Sequence, residues 1–333
     1  MEVDLGMGTQ FDHGPVMVFP SPVINPETLV ARLEAAWQRR AALHDQPQTN
    51  LYRLVHGFGD DLPGLNIDSA GDLAVIWEQR QDAYDLTVVA TWLQQRLSPS
   101  AILHKGPRFR GQGGGGVVLH GEITAGEHQV SEAGLRFAIE PLAAQNLGIF
   151  IDARPARAWL LDNSAGRIVL NTFAYTGSLG VAALAGWARS CVQVDLQRAQ
   201  LQRARRNHEL NGQAIDDRDL MKADCLRWLR RSKRQVGGLI LDPPPRLPGR
   251  RQGDPQAWHT LVRHGSVLLE SGGWLLGLLN RRGLDQATWE SKVIASAAQV
   301  DVRLEPFWRG ESGDDFWEPD RENRLRMTAF RRA

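Results

Sequence analysis

The sequence predicts a doubly wound, mostly parallel α/β sheet preceded by a smaller α/β unit, and three observations carry that expectation. The run Ile168-Val169-Leu170 has the length and β-branching of a buried strand. It leads through a turn containing Gly177 and Gly180 into the apolar helical stretch 181–184, and a second short strand, 191–194, ends on Asp195. A third apolar strand, Leu239-Ile240-Leu241, ends on Asp242-Pro243-Pro244-Pro245, and strand-like and helix-like segments alternate from there to residue 330.

The bulk composition narrows the class. With 333 residues there is room for two domains and a substantial core. Lys and Arg total 39 against 38 Asp and Glu, which argues against a histone-like polycation but permits a local basic face. The two cysteines, Cys191 and Cys225, are too few for a disulfide framework or a zinc site and suit a reducing compartment. No apolar run approaches the roughly 20 residues of a membrane span. Met1-Glu2-Val3-Asp4 lacks the pattern of a signal peptide. The expectation is a cytoplasmic α/β protein with no membrane segment and no metal.

In chain order, residues 1–24 read as an extended arm. Asn25-Pro26-Glu27 reads as an N-cap, a first-turn proline and a favourable early acid, starting a helix to about Leu43. The arm and helix form one unit, 1–47. A small α/β domain, 48–125, follows, with strands at 65–67, 73–77 and 101–104 and a helix over 85–97. Residues 105–116 combine Lys105, Arg108, Phe109 and Arg110 with a glycine run, either a phosphate-gripping loop or a hairpin tip that happens to be basic. A connecting β-hairpin is expected over 126–142, with a strand at 134–139. The larger domain, 143–333, adds a helix over 197–210, strands at 220–223 and 274–279, a helix over 286–297 and closing strands at 300–304 and 325–330.

Within that domain Gly177 sits where a backbone passes close to a ligand, and Gly180 where a helix presses on a sheet. Asp195 follows at roughly the 20-residue spacing from which a carboxylate reaches a ribose over the first turn. A plain structural turn is the other reading. The Asp-Pro-Pro turn lies at the carboxyl end of a strand, where open α/β sheets place their chemistry.

With these residues in view, the sequence resembles the bacterial 23S rRNA cytosine-C5 methyltransferases. Residues 49–57 (TNLYRLVHG) and 62–68 (LPGLNID) resemble that family's central domain. The stretch 146–154 (NLGIFIDAR) resembles its GFxLDQR segment, and Phe173-Ala174-Tyr175-Thr176-Gly177 its FSYTG cofactor turn. Val194-Asp195, residues 207–211 (NHELN) and Asp242-Pro243-Pro244 continue the match in order, from about residue 26 to the end. The resemblance implies a Rossmann-like class I methyltransferase using S-adenosyl-L-methionine, with RNA, specifically ribosomal RNA, as substrate. A homodimer is a further expectation. The family usually begins with a PUA-type RNA-binding domain, which the short arm here cannot hold.

The resemblance also implies roles. Phe150, Asp152, Arg154, Phe173, Tyr175, Thr176, Gly177, Asp195 and Asp224 become the expected cofactor residues. Tyr175, Thr176 and Gly177 would shape the methionine pocket, Asp195 would hold the ribose and Asp224 would meet the adenine amino group, unless Asp224 is simply a helix cap. Asp152 and Arg154 would close the pocket from outside the sheet. Cytosine C5 methylation requires a thiolate to add to C6. The family's cysteine position here is Asn280, and Cys191 and Cys225 read as buried small hydrophobes. Transfer to a base nitrogen is therefore favoured, with Asp242, Pro243, Pro244 and Asn280 as the expected catalytic residues. Arg246, Arg250, Arg251, Arg281 and Arg282 would rim the acceptor pocket. A nucleotide-cofactor oxidoreductase and a non-catalytic RNA-binding relative are the alternatives. The loop 307–323, with Trp308, Phe316 and Trp317 among acids, would be a lid or a packing element.

Overall fold

The computed structural model describes residues 24–80, 82–107, 115–143, 146–244, 255–280 and 283–333. Residues 1–23 of the expected arm, Arg108, Phe109 and Arg110, and the cations at 246, 250, 251, 281 and 282 lie outside them. Helix α1 (Pro26–Arg39) begins as expected, with the Asn25 side chain accepting from Thr28 N at 2.8 Å. The single helix to Leu43 is interrupted at Arg40, whose buried guanidinium donates to Asp60 at 2.6 Å; the short α2 (Ala41–His44) follows.

Strands β1 (Leu51–His56), β2 (Leu65–Ala70), β3 (Leu73–Glu78), β4 (Ala101–Lys105) and β5 (Val117–His120) form one sheet in that order. Only β3 and β4 are parallel, because α3 (Leu86–Arg96), capped by Asp85, crosses over between them. Its core sets Leu33, Leu54, Ile67, Ile76 and Trp92 between helices and sheet. The hairpin of β6 (His128–Glu132) and β7 (Leu135–Ile139) falls in the expected connecting stretch.

The second sheet is built from β8 (Ile168–Thr172), β9 (Ser190–Asp195), β10 (Leu220–Lys222), β11 (Val236–Leu241), β12 (Leu269–Leu279), β13 (Leu304–Glu311) and β14 (Arg326–Arg332), in the order β10-β9-β8-β11-β12-β14-β13. Only β14 runs against its neighbours. The helices are α4 (Arg154–Asn163), α5 (Ser178–Ala185), α6 (Arg198–Leu210), α7 (Cys225–Arg231), α8 (Pro255–Ser266) and α9 (Gln286–Ala298). Consecutive strand residues serve opposite layers: Val169 packs with Trp159, Leu179 and Trp274, and Leu170 with Val192, Leu239 and Leu275. The predicted strand at 300–304 is displaced. Asp301 takes a left-handed turn at φ 57°, so extended pairing starts only at Leu304 and runs to Glu311. Among the described residues no helix is long and apolar enough to cross a membrane.

Buried ions tie the layers together. Arg157 of α4 makes a bidentate pair with Glu132 of the hairpin at 2.6 Å on both arms. Asp315, fully buried, pairs with Arg154, accepts from Arg53 N at 3.1 Å and offers its carbonyl to Arg40 at 2.9 Å. Phe316 lies under the Arg53 guanidinium at 4.7 Å, and the backbone of Trp317 packs where any side chain on Gly59 would clash. The aromatic loop therefore packs onto the first sheet; it is not a lid.

Candidate active site

The order of strands creates one switch point. From β8 the chain builds outward through β9 and β10, then returns to add β11 on the other side of β8. Thr172 is in register with Leu241, so the turns after β8 and β11 leave the same carboxyl rim side by side. This is where an open parallel sheet leaves a crevice.

The turn after β8 is unusual backbone. Phe173, Tyr175 and Gly177 all have positive φ, at 56°, 49° and 79°. Two are not glycine, and such residues cost on the order of 1–3 kcal/mol each unless their surroundings hold them. Here every residue is held. Phe173 N donates to Cys225 Sγ at 3.2 Å, Ala174 N to Val194 O at 3.0 Å, and Tyr175 N to the Asp195 carboxylate at 2.9 Å. The Thr176 hydroxyl donates to Gly148 O, and its carbonyl accepts from Asn207 Nδ2 at 2.8 Å. Tyr175 donates its phenol to Asn146, and burial pushes its pKa up. Phe150, half exposed, lies against the Tyr175 ring with centroids 5.3 Å apart. Thus Phe150, Phe173, Tyr175, Thr176, Gly177 and Asp195 meet at one place.

Asp195 fits a ribose. Its two oxygens each accept one backbone N–H, from Tyr175 at 2.9 Å and Gln197 at 2.8 Å, which orients the group. Each oxygen keeps a further lone pair for a hydroxyl. Asp224 caps α7, one oxygen accepting from Arg227 N at 2.7 Å. Beside Asp195 on the rim, it has its other oxygen for an amino group. The cap and the adenine contact are compatible.

Arg154 goes elsewhere. Its guanidinium pairs with Asp315 under the aromatic loop and so braces the two sheets, not the cofactor turn. Asp152 faces the second turn. Burial raises the Asp242 carboxyl to about 7, and the charge of Asp152 adds to that rise. Asp152 is itself raised by burial, against the attraction of Arg53, Arg157 and His56. Two carboxyls therefore share the mouth of the β11 turn, with Pro243 buried, Pro244 exposed and Asn280 exposed past the end of β12.

Both thiols are buried and shifted toward the neutral form. Cys191 is buried and its pKa is driven far up; Cys225 is raised to about 12 by burial. Cys225 nonetheless contributes, since its sulfur accepts from Phe173 N and donates to Val194 O at 3.4 Å. Lys105, expected in a basic loop, turns inward to the Ala143 carbonyl and the Trp77 ring, and burial lowers it to about 8. Sequence reasoning missed Asn146, Gln193, Asn207 and His208 as supports of the turn. The available signal was a set of polar residues on faces that should be apolar.

A sheet of this order with a held glycine turn and an acidic diproline turn side by side defines a Rossmann-like methyltransferase fold. Comparison with known proteins agrees. A family model for S-adenosylmethionine-dependent methyltransferases matches residues 79–326. The ribosomal RNA large subunit methyltransferase I of Erwinia tasmaniensis is 30% identical over 293 residues, covering 85% of this chain and 73% of that protein. A Streptococcus mutans structure provisionally described as a SAM-dependent methyltransferase superposes with a TM-score of 0.81 at 21% identity, covering 92% of this chain and 82% of that one. A second structure, likewise provisionally described as a methyltransferase and complexed with SAH, gives 0.77 at the same identity and coverage. The chain belongs to the S-adenosylmethionine-dependent methyltransferase family, and S-adenosyl-L-methionine is its cofactor.

Proposed function

We propose that this enzyme transfers the methyl group to a nitrogen of a base in RNA, specifically ribosomal RNA of the large subunit. The RNA assignment draws on the likeness to the Erwinia ribosomal RNA large subunit methyltransferase I. The choice of nitrogen over carbon is carried by one observation: the described acceptor edge presents carboxyls and an amide, Asp242, Asp152 and Asn280, and no thiol.

The bound cofactor supplies an electrophilic methyl on a sulfonium. The residues then do the positioning. Tyr175, Thr176 and Gly177 shape the methionine end, with Phe150 and Phe173 flanking; Asp195 holds the ribose and Asp224 the adenine amino group. Asp242 accepts a hydrogen bond from the acceptor amine, turning its lone pair toward the methyl, and takes up the released proton. Pro243 and Pro244 keep the turn rigid, and Asn280 offers a second polar contact to the base. Arg154 is proposed as a brace between sheets, and Asp152 as a regulator of the Asp242 charge. The first sheet, with Arg53 and His56 facing Asp152, forms the far wall of the RNA cleft. This reading locates the protein in the cytoplasm with its substrate; light scattering of the purified protein tests the homodimer.

Incubation with S-adenosylmethionine and large-subunit rRNA, followed by nucleoside mass spectrometry, should yield an N-methylated base. Accumulation of 5-methylcytosine would overturn the nitrogen assignment.

A further inference from the structure

Beneath the cofactor turn runs a row of polar side chains that helix–sheet packing does not require. Its direction is fixed at one end. Gln213 Nε2 donates to the Val181 carbonyl at 2.9 Å, so Gln213 Oε1 is left to accept. His208 Nδ1, 2.7 Å from that oxygen, therefore carries the ring proton, and His208 Nε2 is the acceptor. Gln193 Nε2 donates to it across 2.7 Å, and Gln193 Oε1 accepts from Asn171 at 2.7 Å. The same Gln193 nitrogen faces the carbonyl of Gly177 at 3.4 Å. Asn171, Gln193 and His208 are all buried.

Two glycines make room for this row. A Cβ at Gly180 would lie 2.0 Å from Gln193 Nε2, and one at Gly177 would lie 3.0 Å from it. Gly180 stands inside α5, where glycine weakens a helix. Amides buried in an apolar layer are also costly unless every partner is supplied. Both costs fall at the turn and concern the side chain that faces the Gly177 carbonyl.

We propose that Gln193, oriented by His208 and Gln213, is a positioning residue for cofactor binding: it holds the Gly177 carbonyl, and with it the left-handed turn, in the conformation that receives the methionine end of S-adenosylmethionine. The inference rests on the reading of that turn as the cofactor site. Gln193 touches no reacting atom, so its effect falls on cofactor affinity and leaves the chemical step alone.

The test is calorimetric titration with S-adenosylhomocysteine alongside steady-state kinetics. Gln193→Met keeps the volume and removes the donor. It should weaken S-adenosylhomocysteine binding and raise the KM for S-adenosylmethionine about tenfold, the worth of one buried hydrogen bond. The kcat at saturating cofactor and the KM for RNA should stay put. His208→Phe should do the same, and His208→Gln, which keeps an acceptor toward Gln193 and a donor toward Gln213, should restore most of the affinity. Gly180→Ala should displace the amide and copy Gln193→Met, with the double variant no worse than either single one. Unchanged affinity in Gln193→Met, or a fall of kcat together with both KM effects in step with lost thermal stability, would overturn the proposal. Asp195→Ala separates the two readings: if it leaves S-adenosylhomocysteine affinity intact, the assignment of the cofactor site fails, whatever Gln193 does.

Discussion

Asp242→Asn should stabilise the protein while removing its activity, and the gain should depend on pH in a defined direction. The folded carboxyl titrates near 7 where an ordinary aspartate titrates at 3.8. Below about pH 4 both folded and unfolded chains hold the proton, and the group costs nothing. Between 4 and 7 the unfolded chain releases it and the folded chain does not, so this contribution to stability declines as pH rises. Above 7 the full cost is present. About three pKa units correspond to roughly 4 kcal/mol, and partial contact of the residue with solvent reduces this to about 2–4 kcal/mol. Urea unfolding of wild type and variant at pH 4.5, 6 and 8 should therefore show a variant advantage that is small at the lowest pH and largest at the highest. Methyl transfer by the wild type should rise across pH 7 as the acceptor form of Asp242 appears. Asp152→Asn should move that midpoint down, because it removes the neighbouring negative charge. A stability gain equal at all three pH values would refute the linkage, and full turnover in Asp242→Asn would refute the catalytic role.

Three other outcomes are expected. His208, held near 4 by burial against an ordinary 6.5, stays neutral in the fold while the unfolded chain takes up a proton. Stability should therefore fall by about 3 kcal/mol as pH drops from 6.5 to 4, a limb that is flat in His208→Gln when denaturation is followed by circular dichroism. Arg157→Met leaves Glu132 buried without a partner and should cost about 3–5 kcal/mol, much of it recovered in Arg157→Met/Glu132→Met, both read from denaturant midpoints. Cys225→Ala should keep methyl transfer within a few-fold and lose about 1 kcal/mol of stability from the bond to Phe173 N. Abolished turnover with intact S-adenosylhomocysteine binding would identify that thiol as a nucleophile after all.

What the sequence disclosed was what is written in local pattern. The β8 strand, the glycine turn, Asp195 and the diproline turn could be read because each is a strand end with its own chemistry within a few residues. Helix α1 was legible from Asn25 and Pro26, but its break at Arg40 was not, because the cause is Asp60, twenty residues away. Helix α4 was missed because buried Arg157 interrupts its apolar face, and Glu132, which makes that burial tolerable, comes from the hairpin. Strand β5 was missed because every residue in it is exposed, so no alternation marks it. The cofactor role expected for Arg154 rests on the resemblance of residues 146–154 to a family segment, which carries no information on its partner in the fold. That partner, Asp315, lies 161 positions on in a loop that only the folded chain brings near.

The two carboxyls at the β11 turn explain why the small first sheet is where it is. An isolated methyltransferase sheet would leave Asp152 and Asp242 to repel one another at an open rim, where water would screen them and both would stay ionised. Packing β1 and the Phe316 loop across that rim excludes water, which raises both carboxyls. It also brings basic side chains: Arg53, itself paired with Asp68, and His56, 3.2 Å from Glu318, reach Asp152 from the far side. Those charges act on Asp152 and not on Asp242, so the two acids are treated differently. Asp152 feels an attraction toward its ionised form that only partly offsets burial, and Asp242, without that attraction, is the group raised to about 7. On the proposed reading, then, the first sheet is part of the acid–base apparatus as well as a wall for RNA. Arg53→Met should accordingly shift the pH–rate midpoint even though Arg53 lies in a different sheet from the diproline turn. An unshifted midpoint in that variant would separate the first sheet from the chemistry.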